Sequence, residues 1–355
     1  MTADLLELTA ELVAIGSISR HEAAIADWLE AELRSLPWLG VERVGDNVVA
    51  RTELDRPLRL LLVGHTDTVP ANANEVPRID GDRLWGLGAT DMKGGLAVMV
   101  AAARRIEQPT VDVTYVFYAR EEVAAAESGL LELYDRRPDL LTGDAALIGE
   151  PTDGAIEAGC QGTMRLRLVL TGARAHTARP WMGRNAIHRL HGVLGTLDGY
   201  EGRRPVLDGC EYREALQAVK VTGGVAGNVV PDAVELIINH RFAPDRSPAE
   251  AADHVREVLD DALDDGDRLE VIAVAPAAPP ALDHPLIAAL RRRHHLDVRA
   301  KLGWTDVARF AEHGMPAANF GPGASELAHT ADEFVERARL ESVFAATADL
   351  LENGP

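Results

Sequence analysis

The stretch "LLVGHTDTVP" (61–70) closes an apolar run with a glycine and then delivers His65 and Asp67, two residues apart and on one face if the chain stays extended. The pattern recurs along the chain. "VDVTYVFY" (111–118) is followed by Glu121 and Glu122, "AALIG" (145–149) by Glu150, Asp91 opens a helical pattern in "GLGATDMKGG", and His329 lies in a late "HTADEF". Histidine, aspartate and glutamate without cysteine make a hard-to-borderline donor set, suited to zinc, cobalt or manganese in hydrolytic chemistry more than to a structural zinc knot. Even without Asp67, four carboxylates and two histidines are too many ligands for one catalytic ion. Two ions sharing a carboxylate, roughly 3.5–4 Å apart, would use them. Asp91 is the natural bridge, because Gly86, Gly88, Gly94 and Gly95 let the backbone turn closely around it.

These residues need strands that end together. The apolar runs 59–64, 111–118 and 145–149, with the small-residue helical pattern "MKGGLAVMVAAARRIE" (92–107) between the first two, predict an α/β domain with a largely parallel sheet flanked by helices. In such sheets ligands bind beyond the carboxyl ends of the strands. From about residue 160 the texture changes to alternating strands, "TMRLRLVLTG" and "AVELIINHRF", with helical patterns at "NAIHRLHGVLGTL" and "PAEAADHVREVLDDAL". The expectation is a two-domain chain: residues 1–160 with 280–355 as a catalytic domain, and 161–279 as an inserted α+β domain, with hinges near 158–163 and 275–282.

Composition narrows the function classes. With 355 residues, 46% of them hydrophobic, the chain can build a sizeable core. A formal charge of −20 argues against nucleic acid or an anionic membrane as partner, since both require a basic footprint. No run approaches the roughly 18–20 apolar residues of a membrane span, and the N-terminus reads as an acidic amphipathic helix, so a cytoplasmic protein is expected. Two cysteines, Cys160 and Cys210, make a disulfide framework improbable. In so acidic a protein, a carboxylate-bearing substrate needs local arginines to receive it, through the planar guanidinium fork. Candidates for substrate contact are Arg179, Asn228, Arg241, Gly303, Thr305, Asp306 and Arg309.

"HTDTVP", "GATDMKGG", "REE", "IGEP" and "AHTADEF", in this order, resemble the motifs of the di-zinc metallopeptidase superfamily of aminoacylases, carboxypeptidases and desuccinylases. The resemblance runs over essentially the whole chain. It implies a zinc-exopeptidase-like catalytic domain and an inserted ferredoxin-like domain that acts as lid and homodimer interface. It also implies two zinc ions, with cobalt or manganese as substitutes, one held by His65 and Glu150, the other by Glu122 and His329, and both bridged by Asp91. Glu121 would take the proton of the attacking water, and Asp67 would sit behind His65 and fix its imidazole. His176 would reach a partner's active site and hydrogen-bond the developing oxyanion. The stretch from "AREEVAAAESGL" to "RNAIH" looks most like the actinobacterial desuccinylases within that superfamily, which implies N-succinyl-LL-2,6-diaminopimelate as the small-molecule substrate. An N-acetylornithine deacetylase, an acyl-amino-acid carboxypeptidase, or a non-catalytic metal-binding dimer are the alternatives.

Overall fold

The computed structural model describes residues 4–355. The chain divides into two compact units, one that runs to Ala158 and takes in Ala281–Arg299 and Arg309–Pro355, and one made of Gly159–Pro280 with Ala300–Ala308.

The first unit is built on an eight-stranded mixed sheet. Its centre is four parallel neighbours in the order Asp112–Tyr118, Arg59–His65, Ala145–Ile148 and Ala317–Asn319. A strand with partners on both sides and helices over both faces has no wet side, which is why "LLLV" and "DVTYVFY" are apolar runs without alternation. Beyond this parallel core the strands turn antiparallel, with Asn47–Arg51 on one side and Ile156–Ala158 on the other. The helix Gly94–Arg105 is buried along its first ten residues. Its glycines and alanines allow that approach: a Cβ on Gly95 would strike the carbonyl oxygen of Gly149 at the end of a central strand. A small antiparallel sheet, Arg78–Asp80, Arg83–Trp85 and Phe334–Glu336, ties the C-terminal region to the segment before Asp91.

The second unit has the succession βαββαβ: strand Gly162–Thr171, helix Ala186–Asp198, strands Ala215–Gly223 and Ala233–Phe242, helix Pro248–Leu259, and strand Arg268–Ala275. The sheet is antiparallel, with the fourth strand beside the first and the third between the first and second, which is the ferredoxin-like order. Met164, Leu166, Leu168 and Leu170 alternate into a core with Leu236 and Ile238 and with Leu190, Val193, Val255 and Leu259 of the two helices. Local chemistry starts each helix. Asn185 caps the first through the His188 N–H, and Ser247 with Glu250 forms a capping box ahead of Pro248 in the second. Two strands that patterning did not single out, Ala215–Gly223 and Arg268–Ala275, are the exposed edges of the sheet, where burial imposes little alternation. Ala300–Ala308 returns to this unit because Gln161 N–H donates to the Lys301 carbonyl and Trp304 Nε1–H to that of Pro276.

Candidate active site

Three adjacent parallel strands deliver the polar cluster at their carboxyl ends. His65 is the last residue of Arg59–His65, Glu121 and Glu122 follow Asp112–Tyr118, and Glu150 follows Ala145–Ile148. Asp91 lies in an irregular turn, Ala89–Lys93, where its φ of −123° and ψ of 94° interrupt the helical path, and the Asp91–Met92 peptide is cis. His329 comes from the loop before the strand Phe334–Glu336. Arg120 and His329 both have φ of 62°, in the left-handed region that costs a non-glycine residue about 1–3 kcal/mol and recurs at functional sites.

The side chains form two triads that share Asp91. His65, Asp91 and Glu150 place one donor atom each within 4.8 Å of one another, and so do Asp91, Glu122 and His329. Glu121 belongs with His65 and Glu122 in a third such group. Asp91 turns one oxygen to each side: Oδ1 is 3.1 Å from His65 Nε2, and Oδ2 is 3.5 Å from His329 Nε2. Glu122 Oε1 is 2.7 Å from His329 Nε2, and Glu150 Oε1 is 4.0 Å from His65 Nε2. The cluster runs from a buried floor at His65 to a rim at His329, whose side chain is 49% exposed.

Electrostatics follow from this crowding. Burial works against a charge on His65, yet hydrogen bonds with Asp67 and Asp91 and the nearby Glu150 hold its pKa well above the usual histidine value. At His329, hydrogen bonds with Asp91 and Glu122 raise it to about 10. Asp91 is depressed far below the ordinary carboxylate range: both imidazoles outweigh its desolvation. A field that favours two positive charges over two neutral imidazoles also favours divalent cations. Imidazole Nε2 atoms and carboxylate oxygens without thiolate suit borderline hydrolytic metals, so the residues fit a pair of such ions.

Asp67 lies behind His65 and contacts it through its main chain. The His65 Nδ1 hydrogen bond goes to the backbone carbonyl of Asp67 at 3.0 Å, while the carboxylate is 3.6 Å away. The carboxylate accepts the Glu121 N–H at 2.9 Å, the Glu122 N–H at 3.0 Å and the Ser19 hydroxyl at 2.7 Å. Burial opposes its charge, but these donors and His65 bring its pKa down to about 2. Asp67 therefore holds the backbone of the two glutamates. Glu22, fully buried, adds a third contact to the same turn by accepting the Arg120 N–H at 3.1 Å.

Sequence reasoning missed Ser19, Glu22, Lys93 and Glu333. Lys93 and Glu333 stand inside the very motifs that marked Asp91 and His329, and a charged residue next to a ligand in an otherwise buried segment was the available signal. Burial lowers the Lys93 amine to about 7, with Glu333 working the other way, and its Nζ donates to the Ile15 carbonyl at 2.7 Å. Burial raises Glu333 to about 7 against the three backbone N–H groups it accepts.

Of the expected substrate contacts, Arg309 lies in the first unit, buried in the helix Val307–Glu312. The rest belong to the second unit. His176 is exposed, with Nδ1 accepting the Ala178 N–H at 3.0 Å, and Arg179 and Asn228 are exposed beside it, the Asn228 carbonyl accepting from Thr177. Arg241 is half-buried in the sheet, and burial lowers its pKa. Thr305 and Asp306 are buried and Gly303 is exposed.

Residues 61–353 match the family model described as "Peptidase family M20/M25/M40". The chain is 51% identical over 94% of its length to a Mycobacterium tuberculosis protein described as "Putative succinyl-diaminopimelate desuccinylase DapE", of which it covers 94%. It is 42% identical to the succinyl-diaminopimelate desuccinylase of Corynebacterium glutamicum, over 94% of this chain and 92% of that one. Among solved structures, the Bacillus subtilis YXEP protein, described as a dinuclear metal-binding peptidase of the M20 family, matches with a TM-score of 0.72 at 16% identity, over 98% of this chain and 96% of that one.

Proposed function

The chain belongs to peptidase family M20/M25/M40, and on that premise we propose that it is a two-metal amide hydrolase that cleaves N-succinyl-LL-2,6-diaminopimelate to succinate and LL-2,6-diaminopimelate. The observation that carries the hydrolase reading is the pair of triads sharing Asp91, with Glu121 as an additional carboxylate beside them. The substrate reading rests on the two desuccinylase-named relatives at 51% and 42% identity.

His65 and Glu150 would hold one ion, Glu122 and His329 the other, and Asp91 would serve both. Zinc is the ion this reading favours, with cobalt or manganese able to replace it. Such ions, when bound, polarise the scissile carbonyl and make a water acidic enough to attack near neutral pH. Glu121 would take a proton from the attacking water as that water's oxygen adds to the carbonyl carbon, and pass it to the departing amine as the C–N bond breaks. His176 is assigned to hydrogen-bond the oxyanion, across a dimer. The guanidinium groups of Arg179, Arg241 and Arg309 are assigned to the substrate carboxylates, with Asn228, Gly303, Thr305 and Asp306 as further contacts.

The second unit is read as lid and dimerisation domain. Its edge strand Ala215–Gly223 leaves Val219 and Val221 exposed, as are Ile187 and Leu194 on the helix beside it, an apolar strip that suits a second copy. Sedimentation at micromolar concentration should return the dimer mass; a monomer would remove this part of the reading. A cytoplasmic location accords with two buried cysteines that form no disulfide.

A substrate panel on metal-loaded protein tests the function. Succinate should be released from the succinylated substrate far faster than acetate from N-acetylornithine or amino acids from acylated peptides. Brisk deacetylation without succinate release would overturn the substrate assignment.

A further inference from the structure

Resting on the two-metal reading, we propose that Glu333 is the positioning residue for Asp91: it fixes the turn from which Asp91 presents one oxygen to each triad.

Asp91 sits where the backbone leaves the helical path, with φ and ψ of −123° and 94°, and Met92 continues the departure at −131° and 37°. Amides in such a turn have no regular ladder to enter, and unpaired they would each cost about 1–3 kcal/mol when buried. Glu333 takes three of them. Its Oε1 accepts the N–H of Thr90 at 2.9 Å and of Asp91 at 3.0 Å, and its Oε2 accepts the N–H of Gly88 at 2.9 Å. The side chain is 2% exposed, so these bonds operate away from competing water. The neighbouring backbone joins in: the Gly86 N–H donates to the Glu333 carbonyl, and the Thr90 hydroxyl to that of Phe334.

The placement has a further consequence. Glu333 lies four residues after His329 on the same segment, so one loop both supplies His329 and grips the backbone of Asp91. The distance of 3.5 Å between His329 Nε2 and Asp91 Oδ2 is thereby set within a single hydrogen-bonded unit. A carboxylate shared by two ions must offer both oxygens with tolerances of roughly 0.5 Å, and a turn held by one bond fewer could rotate beyond that. Glu333 is in none of the donor groups around Asp91, and its carboxylate reaches Asp91 through the backbone N–H.

The test compares wild type with Glu333→Gln and Glu333→Asp, using the full chain stripped of metal and titrated with Zn2+ alone. Glutamine keeps the shape but turns an NH2 group toward one of the amides, and aspartate is one methylene too short. Two zinc ions per wild-type chain are expected. In both variants the metal-free melting temperature should fall only as far as the weakened amide bonds account for, while at least one zinc affinity per folded molecule falls tenfold or more, and kcat should fall at least a hundredfold with KM within threefold. Wild-type zinc affinities and kcat in the variants would overturn the positioning role, as would a lowered melting temperature with zinc binding per folded molecule intact. If the variants do not fold, amide exchange in the metal-free wild type decides: the Gly88, Thr90 and Asp91 amides should be protected, and rapid exchange would refute the hold. Wild type binding fewer than two ions would instead overturn the two-metal reading itself, and the role of Glu333 with it.

Discussion

Glu121 and Glu122 are neighbours with the same side chain, and the tasks proposed for them differ only because of where each carboxylate ends up. Glu122 Oε1 meets His329 Nε2 at 2.7 Å within the triad built on Asp91, whereas Glu121 is grouped with His65 and Glu122 but not with Asp91. Glu121→Gln should therefore retain both metals and lose about 10²–10⁴-fold in kcat, the range for a positioned general base. Glu122→Ala should lose metal as well. Zinc analysis of dialysed protein beside initial rates separates the two, and equal metal loss in both variants would reverse the assignment of base and ligand. The six clustered side chains were legible because strand-end placement and the five motifs marked them by residue type. The hold of Asp67 on the Glu121 and Glu122 amides was not, because a backbone N–H carries no signature in the residue letter.

At the scale of elements, closeness matters more than propensity. The helix Gly94–Arg105 reads as a good helix only in part, with two glycines at its start, yet those glycines bring the Asp91 turn against the strand ends. Gly95→Ala would drive a methyl group into the Gly149 carbonyl, next to Glu150. Helix propensity alone would favour alanine by about 1 kcal/mol, so a net loss of about 1–3 kcal/mol in denaturant unfolding is the mark of overpacking winning. A variant at least as stable as wild type would mean the helix can draw back. The buried strands and both helices of the second unit were readable from apolar runs and period. Its two edge strands were not, since Val219, Val221, Val271 and Val274 face solvent and no alternation separates them from loop.

For the molecule as a whole, the charge of −20 makes the pairing of carboxylates decisive for acid stability. Asp267 in the second unit is the clearest case. Burial opposes its charge, but two bonds from Arg189 at 2.6 Å and the N–H groups of Asp264 and Thr171 lower its pKa from 3.8 to about 2. A depressed carboxylate stabilises the fold above its unfolded pKa and loses that contribution as pH falls through the folded one. The Asp267 contribution is thus present above about pH 4 and fades toward pH 2. Asp267→Asn should cost on the order of 2 kcal/mol at pH 7 and nothing further near pH 2, so its unfolding curve should converge on wild type in acid. A constant difference across that range would show that packing, not charge, supplies the effect.

Residue types and order by themselves determined that a parallel sheet would end in histidine and carboxylates, that the donors suit two hydrolytic ions, and that a second α+β unit interrupts the first. Periodicity and ligand chemistry are local properties, and letters record them. The tertiary structure decided which oxygen of Asp91 faces which histidine, that Asp67, Glu22 and Glu333 grip backbone amides of the site, and that Ala300–Ala308 returns to the second unit. Those are relations between segments far apart in the chain, made through main-chain groups that every residue shares, so only the folded chain distinguishes them.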